Sequence, residues 1–174
     1  TEAVVGEGPW TFDIAELTAA ADKEAIADGT KVGTDGFFTV TGEVTKRTSS
    51  TTGDVTSIEV QKAERGAIVF TVATDSYVEF DASSTGTTNT SAIGLKSSDG
   101  TYYVNTTVTG SANGRTTFAA NVPAGTYSIV SPLDTNNDRG ARVYSVSVET
   151  GTKDITSTTE STTELTSEET PSED

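Results

Sequence analysis

The chain contains no cysteine, no methionine and no histidine. Without cysteine there is no disulfide framework, no thiolate metal site and no sulfur nucleophile. Without histidine there is no Ser-His-Asp triad and no imidazole base, the commonest acid–base catalyst. Tryptophan occurs once and aromatic residues make up only 7% of the chain, which leaves few rings for a stacking row. Bases are scarce as well: 11 Lys and Arg stand against 26 Asp and Glu, giving a net charge of −15. No apolar run approaches the length of a membrane-spanning helix. Hydrophobic residues are 33% of the 174 positions, against roughly 45–50% in ordinary globular domains when Gly is also counted.

The deficit is uneven. Val, Ile, Phe and Tyr concentrate between Trp10 and Val148. From Ser157 onward the acids Glu160, Glu164, Glu168, Glu169, Glu173 and Asp174 appear without a base, among repeated Thr and Ser and a late Pro171. Such a stretch buries too little apolar surface to offset the entropy of ordering. The expected organisation is a linker remnant at 1–8, one folded module at 9–150, and a disordered Thr/Ser/Glu-rich linker at 151–174. The composition (Thr rich, few Lys, low pI) fits a secreted, extracellular module, and a monomer cut from a longer chain with covalently linked catalytic or other modules is expected. The body has no net basic field, which argues against duplex nucleic acid as a partner. No membrane partner is expected.

Short alternating runs recur with turn residues between them. Trp10–Asp13, Phe37–Thr41, Ser57–Gln61, Ala67–Ala73, Tyr77–Ala82, Ala92–Ser97, Thr101–Thr107, Arg115–Val122, Thr126–Val130 and Ala141–Glu149 read as strands. The Asp-Gly of Ser97–Gly100 predicts a hairpin, and the last two strands read as a closing hairpin around Pro132–Gly140. Ala15–Ala27 is Ala-rich with acids and predicts a helical turn or two, while Asp28–Gly36, with three glycines, reads as loop. The predicted fold is all-β: an antiparallel, jelly-roll-like β-sandwich with a short helical turn near the N-terminus.

Glycoside hydrolysis needs two carboxylates flanking the bond. Glu79 and Asp81 would share one strand face, which reads more simply as a solvated face, so no catalytic residue is assigned and the chain is read as not an enzyme. Asp134–Gly140 resembles the opening of a calcium loop. It has Arg139 where the sharp-turn Gly belongs and Ser145 where the bidentate Glu belongs, so it reads as a polar turn. No metal and no cofactor are assigned. Trp10, alternating with Phe12, reads as a core anchor. Adjacent Tyr102 and Tyr103 point to opposite faces of a strand, and Tyr77 and Tyr127 follow turns, where half-burial is expected.

The scarce bases Lys31, Lys46, Arg47, Lys62, Arg65, Lys96, Arg115, Arg139 and Arg142 are therefore informative. Most are expected to be solvated, some paired with Glu43, Glu59 or Glu64. Three or four converging on one shallow face would match an anionic sugar chain, because Arg takes carboxylate bidentately and Lys adds a point charge.

The block order Trp10-Thr-Phe, Ser57–Val72, Ala82-Ser-Ser-Thr-Gly, Ser97–Gly100, Pro123–Ser131 and Ala141–Val148 resembles family 77 carbohydrate-binding modules and the related sandwich domains appended to bacterial pectate lyases. Turns like Pro123-Ala-Gly-Thr-Tyr are common in such modules. The resemblance spans about Trp10 to Glu149. It implies a non-catalytic β-sandwich that binds homogalacturonan of low methyl esterification, the polygalacturonate backbone of pectin, and targets an attached enzyme to the plant cell wall. It further implies recognition through lysines. Carried onto this chain, the candidates are Lys31, Lys46, Lys62 and Lys96, with Arg65, Arg139 and Arg142 as alternates. Two other readings stay open: a module for a neutral β-glucan or mannan held by exposed aromatics, and a structural or linking domain with no sugar ligand.

Overall fold

The computed structural model describes residues 8–85, 89–110, 115–133 and 140–155. Within them the chain forms β1 (Trp10–Asp13), β2 (Ala25–Ile26), β3 (Thr30–Val32), β4 (Phe38–Gly42), β5 (Val44–Thr48), β6 (Val55–Val60), β7 (Gly66–Val72), β8 (Ser76–Ser83), β9 (Thr90–Ser97), β10 (Tyr102–Thr109), β11 (Thr116–Val122), β12 (Gly125–Val130) and β13 (Ala141–Thr150). Sheet A runs β11-β8-β13-β6-β5-β2, with β1 also paired to β13; sheet B runs β10-β9-β12-β7-β4-β3. The strand pairs are antiparallel. The chain is an all-β antiparallel sandwich, as its alternating pattern predicts.

The core follows from that alternation. In β7, Ile68, Phe70 and Val72 are buried, whereas Val69 is half-buried and Thr71 exposed. A chain of rings ties the layers together. Trp10 stacks on Phe37 at 4.3 Å, Phe37 and Phe38 both meet Phe70 (6.1 and 5.7 Å), Phe70 stacks on Tyr127 at 5.8 Å, and Tyr103 meets Tyr127 edge-on at 5.7 Å. Trp10 is thus the core anchor its spacing suggests. Tyr127 is wholly buried rather than half-buried, because its hydroxyl donates to the Pro123 carbonyl. The low apolar content is offset by buried hydroxyls that satisfy one another: Ser83 with Tyr144, Ser84 with Ser91, Ser91 with the Gly140 carbonyl, and Ser131 with the Ala92 carbonyl.

Two expectations are corrected. The last two strands form no hairpin: β12 lies in sheet B between β7 and β9, and β13 lies in sheet A between β6 and β8. Two alternating runs each need a buried partner face, and here each finds it in a different sheet. Asp28–Gly36 is not all loop, since β3 adds Val32 to the core opposite Phe38. The helical turn expected near the N-terminus is present as a single 3₁₀ turn, Ile14–Glu16, capped by Asp13 and Glu16. Ala15–Ala27 has no apolar stripe to extend a helix. Beyond the turn Ile26 pairs with Val44 and becomes strand. The Ser97–Gly100 turn does join paired strands, β9 and β10.

Past β13, Lys153 exchanges two hydrogen bonds with the Asn121 side chain, at 2.7 and 2.9 Å. At about 1 kcal/mol each and roughly 2–4 °C per kcal/mol for a domain of this size, a chain ended at Thr150 is expected to melt roughly 4–8 °C below one ended at Ile155. Equal melting temperatures in calorimetry would contradict that anchoring role. Truncating the ring that joins the aromatic chain, Phe70→Ala, is expected to cost about 3–5 kcal/mol in urea unfolding.

Candidate functional site

Alternation that buries one face of each strand displays the other, and the two displayed faces differ chemically. On sheet A the outward residues include Asp13, Glu79, Asp81 and Glu149. Glu79 and Asp81 share this face as their spacing predicts. Glu79 accepts from the Tyr77 hydroxyl, and Asp81 is held by Arg115 and Thr117. The Arg115 guanidinium also lies 4.0 Å from the centre of the Tyr144 ring. This face is acidic, with Asp81 paired to Arg115 and Glu149 to Lys153.

Sheet B presents a row of six residues in register across its strands: Lys31, Thr39, Val69, Ser128, Lys96 and Tyr102. A second row, Thr41, Ala67, Val130, Gly94 and Asn105, runs beside it, with Ala67, Val130 and Gly94 buried, Thr41 half-buried and Asn105 exposed. Thr71 and Thr126, their hydroxyls 2.8 Å apart, extend the same surface. The result is a shallow platform of hydroxyl, amide and small apolar groups with a lysine towards each end. Lys31 and Lys96 stand four strand spacings apart, about 19 Å at the usual inter-strand distance.

Tyr102 packs against Gly94, which has no side chain to hold it off. A Cβ at position 94 would stand 2.8 Å from the Tyr102 ring. Tyr103, one residue on, turns inward to Tyr127, so the adjacent tyrosines do face opposite ways. The Tyr102 hydroxyl donates to Glu64 at 3.0 Å, and Lys96 Nζ donates to the other oxygen of the same carboxylate at 2.7 Å. Lys96 Nζ is also 5.7 Å from the Tyr102 ring centre. The hydrogen bond from Lys96 holds Glu64 below the usual glutamate range and raises Lys96 in return. Tyr102 is pushed up, first by burial and then by Glu64.

The seven candidate bases separate on these surfaces. Lys31, exposed, donates to Thr39 Oγ1 at 3.1 Å and shares the sheet B platform with Lys96. Arg65 stands at the rim beside Gly66, paired with Glu43 at 3.3 Å. Lys46 is in sheet A with 18% of its side chain exposed, bonded to the Thr18 carbonyl at 2.7 Å and Glu24 at 3.2 Å, where it pins the 18–24 loop. Lys62 is buried at 8% exposure. Arg142 is on the outer face of sheet A opposite Glu59, with its Nε buried and unbonded. Arg139 and the Asp134–Asp138 turn residues lie outside the described residues. The structure thus brings Lys31 and Lys96 onto one face, with Arg65 at its rim, while Lys46 and Arg142 belong to sheet A and Lys62 is buried.

Sequence reasoning named Glu43, Glu59 and Glu64 as partners for the bases, and the structure pairs them with Arg65, Arg47 and Lys96; it missed the Tyr102 contact to Glu64 and missed β5, whose Arg47 is clamped between Asp22 (3.1 Å) and Glu59 (2.7 Å). One signal was available: a glycine inside a strand pattern, Gly94, marks a close approach. Among the described residues no group of three or more acidic side chains converges to hold a metal ion. A cavity of about 380 Å³ opens between the sheets at the β2–β5 edge, lined by Ala25, Ile26, Asp28, Gly42, Glu43 and Gln61. It offers neither an aromatic ring nor a cation.

No family model matches the chain, and no curated protein matches it. Solved structures similar to it include one from the Ruminococcus flavefaciens cellulosome, described in terms of an expansion in glycan recognition. It is 14% identical, with 82% of this chain and 94% of that chain covered, at a TM-score of 0.41. A second is carbohydrate-binding module CBM6cm-2 of Cellvibrio mixtus lichenase 5A in complex with cellotriose, at 11% identity, 82% and 97% coverage and a TM-score of 0.34. A third is the CBM22-1 xylan-binding domain of Paenibacillus barcinonensis Xyn10C, at 9% identity, 75% and 97% coverage and a TM-score of 0.42. Likeness at this level assigns no ligand and no site to this chain.

Glu64, Asp22, Glu24 and Asp99 are all held below their usual range by hydrogen bonds. Groups depressed on folding stabilise the fold above their unfolded values and lose that contribution as protons are added. The melting temperature is therefore expected to hold steady down to about pH 5 and to fall below pH 4.5, the ordinary glutamate value. A melting temperature that rises on acidification from pH 5 to pH 3 would contradict these assignments.

Proposed function

We propose that the chain is a non-catalytic carbohydrate-binding module that holds an extended plant cell-wall polysaccharide across the outer face of sheet B. The observation that carries the reading is the in-register row from Lys31 to Tyr102. It is a shallow platform, long enough for several sugar units, with hydroxyl and small apolar groups between two cations. The ligand we assign is homogalacturonan of low methyl esterification, whose carboxylates Lys31 and Lys96 would meet as point charges while Arg65 adds a third cation at the rim. Sheet A offers a polyanion only an acidic face. The module would keep an attached extracellular enzyme on the cell wall, and binding should weaken with salt because the attraction comes only from the few cations of this face, which salt screens.

Tyr102 favours a second reading, in which a neutral β-glucan or mannan stacks a pyranose face on the ring that rests over Gly94.

Affinity electrophoresis in gels containing polygalacturonate, highly methylated pectin or a neutral β-glucan separates the two. Retardation by polygalacturonate alone, relieved by salt, is the expected result. Lys31→Ala and Lys96→Ala are each expected to weaken it about tenfold, the worth of one charge-assisted hydrogen bond, with melting temperatures nearly unchanged. Retardation by the glucan, abolished by Tyr102→Ala and untouched by the lysine changes, would replace the pectin assignment. No retardation in any gel would remove the sugar-binding reading.

A further inference from the structure

The turn between β6 and β7 is built in an unusual way. Ala63 and Glu64 are consecutive non-glycine residues in the left-handed region, at φ 58° and 59°. Each such residue is strained by about 1–3 kcal/mol and persists only where its surroundings over-determine it. Here the Ala63 and Glu64 amides donate to the Leu133 and Ser131 carbonyls, at 3.1 and 2.9 Å, and Arg65 N donates to the Lys62 carbonyl at 3.2 Å. The strained turn brings the Glu64 side chain to the sheet B platform. There its two oxygens meet Lys96 and Tyr102 separately. One cation and one phenol hydroxyl beside a flat ring form a receptor for a carboxylate borne on a sugar ring, and the chain's own carboxylate already sits in it.

The geometry points to Glu64 as an internal placeholder: its carboxylate occupies the position on Lys96 and Tyr102 that a uronic-acid carboxylate of the ligand takes, so binding there is an exchange of one carboxylate for another. Three features support exchange over a fixed structural ion pair. The pair is partly open to solvent, with 28% of the Lys96 side chain and 34% of the Glu64 side chain exposed. The platform around it is shallow, so a chain lying on it can reach Lys96 from above. Glu64 is delivered by a strained turn and not by a strand, so displacing it breaks no ladder hydrogen bond. The consequence is selectivity. A neutral sugar cannot replace the carboxylate on Lys96, and a methyl-esterified uronate cannot either, so only free uronates profit from the exchange.

This inference rests on the sugar-binding reading of the sheet B face, and calorimetric titration of the 174-residue chain with an unesterified oligogalacturonate tests the two separately. Glu64→Gln is expected to bind about two- to fivefold more tightly than the unaltered chain, the scale of one partly exposed ion pair. Affinity for a neutral gluco-oligosaccharide should not rise. Asp81→Asn removes the same charge from the opposite face and should give no comparable gain. In a Lys96→Ala background the gain from Glu64→Gln should vanish, because the group being freed is gone. Binding by Glu64→Gln where the unaltered chain shows none supports the inference. Binding by the unaltered chain with no gain in Glu64→Gln, or an equal gain in Asp81→Asn or in the Lys96→Ala background, overturns the placeholder while sparing the binding face. Absence of binding in both chains overturns the binding face and the placeholder together. Should Glu64→Gln melt below the assay temperature, Glu64→Asp keeps the charge but shortens the reach to Lys96 and is expected to change affinity in the same direction.

Discussion

The burial of Phe70 between the sheets is the contact on which the rest of the arrangement depends. Its ring meets Phe37, Phe38 and Tyr127, and through them the chain of rings extends to Trp10 and Tyr103. Those rings come from β1, β4, β7, β10 and β12 and from the residue before β4. Every one of them must point inward for the chain of contacts to exist. With a side-chain period of two, that requirement fixes what points outward: Thr39 beside Phe38, Val69 beside Phe70, Ser128 beside Tyr127. The platform on sheet B is the obligatory reverse of the aromatic core.

The same logic accounts for a modest apolar content. Serine and threonine occupy positions where a larger domain would place aliphatic residues, and buried hydroxyls close on each other or on carbonyls, as Ser84 does with Ser91 and Ser131 with Ala92. Charge is handled alike. Arg47 is held between Asp22 and Glu59, Arg115 by Asp81, Arg65 by Glu43 and Lys96 by Glu64. These cations are thus each engaged by a carboxylate, and what distinguishes Lys31 and Lys96 is the surface they stand on.

Ten strand positions were legible in the sequence because each carries an alternating apolar set long enough to have one reading, as in Gly66–Val72 or Ala141–Thr150. The strands that escaped were short or atypical. Ala25–Ile26 and Thr30–Val32 each bring one buried side chain, Ile26 and Val32, and Val44–Thr48 hides a single Val ahead of Thr, Lys, Arg and Thr. Their strand character comes from partners that lie elsewhere in the chain. The sheet assignment of β12 and β13 was illegible for the same reason, since alternation states that a face is buried but not against what. The candidate site was half legible. Scarcity drew attention to the bases, yet which of them share a face depends on register across five strand pairings; Lys46 falls in sheet A and Lys62 is buried.

The most direct test of the binding face is a two-dimensional amide NMR titration with an unesterified oligogalacturonate. The account predicts that the largest shifts follow the cross-strand row, at Lys31, Thr39, Val69, Ser128, Lys96 and Tyr102, with a further cluster at Glu64 as its carboxylate is displaced. Shifts confined to the outer face of sheet A, or to the residues lining the cavity at the β2–β5 edge, would contradict it.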